Sequence, residues 1–279
     1  MPASRFAGDS AVEQRPDGTF VGQVHDGWAV VDGAAPNGGY LLAMGARAIA
    51  ASVGQPDPVS VTGHFLAPPT LGPIEIRVDV LRQGRRHATA AAQLVQNDTV
   101  CVAMLTTFGD LDRAARTSDL NHVTRTRPQW PPIDECVASV ELARQQAPDN
   151  VPQILERFDH RQDAAQLGWA VGKPTGVAVN GGYIKWPDSD EVDPFGLLVV
   201  ADCYAPPVFN LAPHVPVGWS PTIELTVQIR KRPAPGFLTT KLQTTAVTSG
   251  YLEEDGEYWD TDGDLVALSR QIALAARPR

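Results

Sequence analysis

Residues 74–81, IEIRVDVL, alternate apolar and polar positions with a period of two, which predicts a strand with one buried face. Strand-like runs surround it: VSVTGHFL (59–66) before it, ATAAAQLV (88–95) and TVCVAMLTTF (99–108) after it, with QGR and QND turns between. The preceding segment, PNGGYLLAMGARAIAASVG, is different. Asn37 suits an N-cap, Gly54 suits a stop, and the residues between are apolar on nearly every face. A helix apolar all round must be wrapped on most sides. The first half therefore predicts one buried helix followed by an antiparallel meander.

The same order recurs later. In DPFGLLVVADCYAPP (193–207), Asp193 suits a cap, Pro194 the first helical position, and Pro206-Pro207 the end of the helix. Strand-like segments follow: TIELTVQI (222–229), FLTTKLQTTAV (237–247), GYLEEDGEYW (250–259) and DLVALSRQIALAA (264–276). The halves form a weak internal repeat, with VTGHFLAPPTLG and LTVQIRKRPAPG matching only in Thr, Pro and Gly positions. Between them, about Arg113 to Asn150 is rich in Pro, Arg and Gln and reads as a linker, with a short helical pattern at CVASVELARQQ. Ala267, Ser269, Gln271, Ala273 and Ala275 share one small-residue strand face, and Cys101, Ala103 and Thr107 are expected to make a similar one. A sheet curled closely around a helix would use both.

Composition narrows the function classes. The 279 residues, 43% hydrophobic and 20% charged with 24 Gly and 24 Pro, suit a folded protein with many turns. A net charge of −9 argues against nucleic acid as a partner. No run reaches the roughly 20 apolar residues of a membrane span, and the first residues lack a signal-peptide core, so no membrane and a cytoplasmic location are expected. Cys101, Cys136 and Cys203 lack CxxC spacing and read as reduced structural thiols. Nucleophile-elbow, zincin, P-loop and dinucleotide motifs are absent from the sequence. DTDGD (260–264) resembles the start of a calcium loop but has Leu265 and Gln271 where glycine and glutamate are required, so it reads as a hairpin turn. The six histidines have no metal-ligand spacing; His64, in GHF, is the most interesting, though a strand histidine satisfied by hydrogen bonds accounts for it. No metal or cofactor is expected.

One carboxylate remains unexplained. Asp202 lies in the apolar run LLVVADCYAP, where desolvation demands polar partners; a buried anchor and a functional group both fit. Gln271, on the small-residue face, and Thr222, opening TIELTVQI, are the available groups.

The motifs NGGY, HFLAPPTLGPIEIRVDVLRQGR and AQLVQND in the first half, and ADCYAPPVFNL, PTIELTVQIRKRP and DGDLVALSRQ in the second, resemble the acyl-CoA thioesterase II (TesB-like) family of double-hotdog hydrolases. The resemblance covers most of the chain outside the first ~20 residues and the linker. It implies an α+β fold of two tandem hotdog units, each a central helix wrapped by a curled antiparallel sheet. Residues 1–115 would form the first unit, 116–150 the linker, and 151–279 the second. The family's catalytic Asp, Thr and Gln fall on Asp202, Thr222 and Gln271. The first half has Gly45 opposite Asp202 and about Thr107 opposite Gln271, so it lacks a second site. Where the family commonly has Ser-Phe-Ser and an arginine, this chain has RRHATAAA, so contacts to coenzyme A do not carry over there.

The implied chemistry is hydrolysis of an acyl-CoA thioester without cofactor. Asp202 would accept a proton from water oriented by Thr222 and Gln271. Backbone N–H groups at the openings Asn37-Gly38-Gly39 and Asp193 to Gly196 would meet the oxyanion, with His64 as a further substrate contact. Strand alternation puts Thr222 on the face opposite Ile223, Leu225, Val227 and Ile229, so either a bulge intervenes or the regular strand starts after it. A homodimer or higher homo-oligomer is the family expectation. A non-catalytic acyl-CoA or acyl-carrier binding protein is the alternative, and a hotdog hydratase or dehydratase ranks last because neither helix opening supplies the Asp and His pair.

Overall fold

The computed structural model describes residues 4–275 except 32–34, 150, 213, 217 and 219. The fold is α+β with one fourteen-stranded antiparallel sheet. Helix α1 (Gly38–Val53) forms as its sequence predicts: the Asn37 side chain accepts from the Tyr40 N–H, and Gly54 ends the helix in the left-handed region at φ 64°. Its residues are buried almost without interruption from Gly39 to Ile49.

The longer strands of the first half are β1 (Phe20–Val24), β2 (Asp57–Phe65), β3 (Gly72–Gln83), β4 (Ala88–Gln96) and β5 (Thr99–Gly109). Their order in the sheet is β1-β3-β4-β5-β2. Only β3, β4 and β5 form the expected meander; β2 crosses to the far side and pairs with β5. Local alternation identifies strands but carries no information about which edge a strand joins. All four of β2 to β5 contact α1. The buried residues of β5 include Val102, Met104, Thr106 and Phe108, while Ala103 and Thr107 are half-buried. The helix-facing set is therefore larger than the small-residue face expected there, because Gly45 leaves room for the Met104 thioether.

The second half contributes β6 (Val137–Ala138), α2 (Ser139–Gln146), β7 (Asp159–Gln162), β8 (Val179–Lys185), α3 (Pro194–Val200), β9 (Thr222–Ile229), β10 (Leu238–Gln243), β11 (Tyr251–Trp259) and β12 (Leu265–Leu274). The order continues from β2 as β9-β12-β11-β10-β8-β7-β6. The halves join through β2 and β9, where Gly63 pairs with Leu225 and the Thr62 and Thr226 hydroxyls lie 2.9 Å apart. Residues 137–146, inside the segment read as a linker, form β6 and α2, and β6 extends this sheet. DTDGD closes the hairpin between β11 and β12.

Helix α3 is shorter than its sequence suggests. It spans seven residues and ends at Val200, with Ala201 as C-cap. Asp202 thus lies just beyond the helix rather than within it. Helices α1 and α3 pack in backbone contact: a Cβ on Gly39 would lie 2.2 Å from the Leu198 carbonyl oxygen. That crossing brings the end of α3 to the start of α1.

Candidate active site

Asp202 has its partners in the other half of the chain. Its Oδ2 accepts from the Asn37 Nδ2 and from the Gly39 N–H, each at 3.0 Å, and its carbonyl accepts a second Asn37 Nδ2 bond at 2.6 Å. The start of α1 therefore holds the carboxylate through two donors and the positive end of its dipole. Oδ1 has no hydrogen bond among the described residues. Burial pushes the Asp202 carboxyl up to about 6, against the lowering effect of the Gly39 and Gly38 N–H groups. Gly38 must be small, since a Cβ there would lie 2.5 Å from the Phe65 ring and 3.0 Å from Asp202 Oδ2.

Thr222 reaches the inner face through a bulge. Its Cα partner is Ala273 whereas that of Glu224 is Ile272, so two steps along β9 match one along β12. The extra residue turns Thr222 to the side of Leu225 and Gln271. The Thr222 hydroxyl donates to Gln271 Oε1 at 2.9 Å, and Gln271 Nε2 donates to Glu254 Oε1 at 3.0 Å. Glu254 lies directly across the ladder on β11. Its carboxyl is pushed up to about 8, first by burial and then by the Asp202 charge, with the Gln271 bond acting the other way. Burial thus favours its protonated form.

Asp202, Thr222 and Gln271 line one cavity of about 1060 Å³, largely apolar, together with Gly38. No direct hydrogen bond joins Asp202 to Thr222 or Gln271 among the described residues; their direct partners are Asn37 and Gly39 for the first, Glu254 for the last. Among the described residues the amide of Gln271 retains its second N–H and Asp202 retains Oδ1.

The other expected residues divide. Asn37 is fully buried and both caps α1 and holds Asp202. Gly39 donates its N–H to Asp202, which removes it as a free oxyanion donor. Gly196 is buried in the first turn of α3, its N–H donated to Asp193 Oδ1 at 2.6 Å, and it does not line the cavity. His64 is exposed and likewise does not line the cavity: it sits opposite Glu224 in the ladder, next to Gly63, which faces the helix. The QND and GHF motifs therefore carry turn and strand roles.

Glu254 is the residue that the sequence reading passed over. The alternation Leu252, Glu254, Gly256, Tyr258 puts it on the buried face, where a lone carboxylate requires explanation. Among the described residues no group of three or more His, Cys, Asp or Glu is placed to hold a metal ion, and no helix is long and apolar enough to cross a membrane.

The profile of the acyl-CoA thioesterase N-terminal domain matches residues 24–109, and that of the acyl-CoA thioesterase C-terminal domain matches residues 133–275. An uncharacterized protein of Mycobacterium tuberculosis is 27% identical over 277 residues, covering 91% of this chain and 90% of its own. A crystal structure described as a candidate thioesterase II from Thermobifida fusca superposes with a TM-score of 0.85 at 27% identity, covering 99% of each chain. An acyl-CoA thioesterase II from Mycobacterium marinum shares the fold, with a TM-score of 0.73 at 17% identity over 98% of each chain. A hot dog fold protein of unknown function from Alicyclobacillus acidocaldarius does so with a TM-score of 0.80 at 22% identity, covering 99% of this chain and all of its own.

Proposed function

The chain belongs to the acyl-CoA thioesterase family, and from that premise we propose that it is a thioester hydrolase whose water is activated by Asp202. The observation that carries this reading is the asymmetry of the Asp202 carboxylate in a residue that lines an apolar cavity, with Oδ2 held by Asn37 and Gly39 and Oδ1 without a hydrogen bond among the described residues. A fixed, desolvated carboxylate with a pKa near 6 is ionised at neutral pH and accepts a proton more readily than an ordinary one.

In this mechanism water sits between Asp202 Oδ1 and the Thr222–Gln271 pair. Its oxygen attacks the thioester carbonyl carbon while Oδ1 takes its proton. The Gln271 N–H left free by the Glu254 bond is placed to meet water or the developing oxyanion. Collapse of the tetrahedral intermediate breaks the C–S bond, and the proton on Asp202 passes to the departing thiolate. No covalent acyl-enzyme is needed. Glu254 acts as a positioning residue: its neutral carboxyl fixes the Gln271 amide that Thr222 also engages.

The fold reading that accompanies this function is a tandem double hotdog, with α1 and α3 as the two central helices and a single site where they cross. Units 1–115 and 151–279, with 116–150 between them, remain our division of the chain; α2 from the middle segment supplies cavity wall to the second unit. The test is free-thiol release from a panel of acyl-CoAs by the purified protein and by Asp202→Asn. Release by the parent and its loss in a folded variant support the mechanism; a fully active Asp202→Asn protein would falsify the role of Asp202. Ligand binding without thiol release would instead identify a binding protein.

A further inference from the structure

Strand β2 and helix α1 exchange side-chain sizes where they meet. The inner face of β2 reads Val61, Gly63, Phe65, and the residues of α1 that meet it one turn apart are Leu42 and Gly38. Leu42 fills the space over Gly63, where a Cβ would lie 2.2 Å from Leu42 Cδ2; Phe65 fills the space over Gly38, where a Cβ would lie 2.5 Å from the ring. The surroundings of the two large residues differ. Leu42 is sealed in the core, whereas Phe65 is half-buried and lines the same cavity as Gly38, Asp202 and Thr222.

Two observations place the ring at the proposed site. The position of a Cβ on Gly38 is 2.5 Å from Phe65 Cζ and 3.0 Å from Asp202 Oδ2, so the ring edge and the carboxylate flank one residue of α1. Along the sheet, Glu224 pairs with His64, so Phe65 stands beside Ile223 at the bulged start of β9, next to Thr222. Asp202 is the one carboxylate among the described residues lining the cavity. Without the ring, water would have room to collect beside it and to solvate the charge.

The titratable groups facing Asp202 are Glu254 and Tyr258 on β11, with Cys203 and Tyr204 next to it in the chain, all pushed upward by burial. Helix α1 presents Asn37, β9 Thr222 and β12 Gln271, none of which titrates. Strand β2 presents Phe65, with His64 on the opposite, exposed face, and α3 is apolar from Pro194 to Val200. Asp202 is thus the group expected to titrate below pH 7.

We propose that Phe65 is a positioning residue of this site: its ring walls the Gly38 side of Asp202 off from solvent, so that the carboxylate meets one fixed water instead of a hydrated cavity. This rests on the thioester-hydrolase reading for its consequence in catalysis. The experiment compares the full-length parent with Phe65→Ala and Phe65→Leu in two readouts. One is the pH profile of kcat and KM for acyl-CoA hydrolysis; the other is the titration of the Asp202 carboxyl by carbon NMR, which needs no turnover.

In Phe65→Ala the acid limb and the carboxyl titration should both move down by about one pH unit from near 6, because a hydrated carboxylate holds its proton less tightly. The kcat should fall about tenfold with less change in KM, short of the 10² to 10⁴ lost with the base itself. Phe65→Leu keeps apolar bulk over Gly38 and should recover most of both. Should the Ala variant fold poorly, Phe65→Val should move the titration the same way by a smaller amount. A titration that stays at the parent position in the Ala or Val variant, or a Leu variant no better than Ala, would overturn the proposal. Absence of thiol release from every acyl-CoA by the parent would sink the hydrolase reading, while the carboxyl titration still decides whether Phe65 keeps Asp202 dry.

Discussion

Helices α1 and α3 cross at Gly39 and Leu198, yet their N-termini face different surroundings. That of α1 opens on the cavity and receives a carboxylate from the other half of the chain. That of α3 is closed. Asp193 caps it from its own sequence, and Gly196 abuts the Trp186 ring, which stacks on Phe6 at a centroid distance of 4.8 Å. Arg47 from α1 lies over the Phe6 and Phe195 rings at 5.2 and 4.6 Å. In the proposed matching of the halves Gly45 stands opposite Asp202, and a Cβ there would lie 2.3 Å from the Met104 sulfur. In the proposed function the duplicated grammar carries one site, because aromatic packing closes the start of α3 and a methionine fills the space beside Gly45. A shared helix-and-strand pattern does not imply shared chemistry.

Breaking the open end should have the largest effect. Asp202→Asn is expected to lower kcat/KM for acyl-CoA hydrolysis by about 10³-fold, with circular dichroism unchanged, since general-base removal typically costs 10² to 10⁴. The same residue predicts a pH profile: kcat/KM should rise with unit slope and level off above about pH 6, losing this limb in the Asn variant. A profile flat between pH 5 and 8 would remove Asp202 as the titrating base.

The crossing itself is the next target. Gly39→Ala drives a methyl group into the Leu198 carbonyl and should destabilise the fold by about 2 kcal/mol, the typical scale of overpacking. Denaturant melts would measure it. Because Gly39 also positions Asp202, activity should fall further than stability alone explains; parallel losses would argue that the crossing is only structural.

Glu254→Gln isolates the positioning role. The amide keeps a carbonyl for Gln271, so activity at pH 7 should stay within about threefold, whereas Glu254→Ala should lose about tenfold in kcat with less change in KM. The sign of its pH linkage is fixed. The folded pKa of about 8 exceeds the ordinary 4.5, so the folded state holds a proton that the unfolded chain releases. That contribution is complete below pH 4.5 and disappears as pH rises through 8. Thermal melts should therefore show the Gln variant gaining on the parent as pH increases from 5 to 9.

The closed end should respond least. Asp193→Ala removes a cap and is expected to cost about 1 kcal/mol of stability while leaving kcat/KM within twofold. A large activity loss there would break the asymmetry between the two helix starts.

Much of this was legible in the chain. The limits of α1 followed from Asn37, Gly54 and the apolar run between them, and TIELTVQI coincides with β9 residue for residue. Less legible were features set by contacts distant in sequence. The position of β2 beside β5 depends on sheet closure, and α3 stops at Val200 although its apolar run continues. The Thr222 bulge left only an ambiguous alternation. Glu254 showed a readable signal in its strand period, but four or five alternating residues do not say whether the inner face meets a helix or a cavity.

The sequence by itself determined the elements and the residue types available for chemistry, because capping, periodicity and turn preference act over neighbouring residues. It also marked Asp202 as a carboxylate in need of partners. Only the tertiary structure decided which partners those are. Asn37 and Gly39 lie 165 and 163 residues away and meet Asp202 because two helices touch where a glycine leaves no side chain between them. Desolvation follows from that enclosure, and so does the upward shift of the carboxyl, which no local pattern of residues encodes.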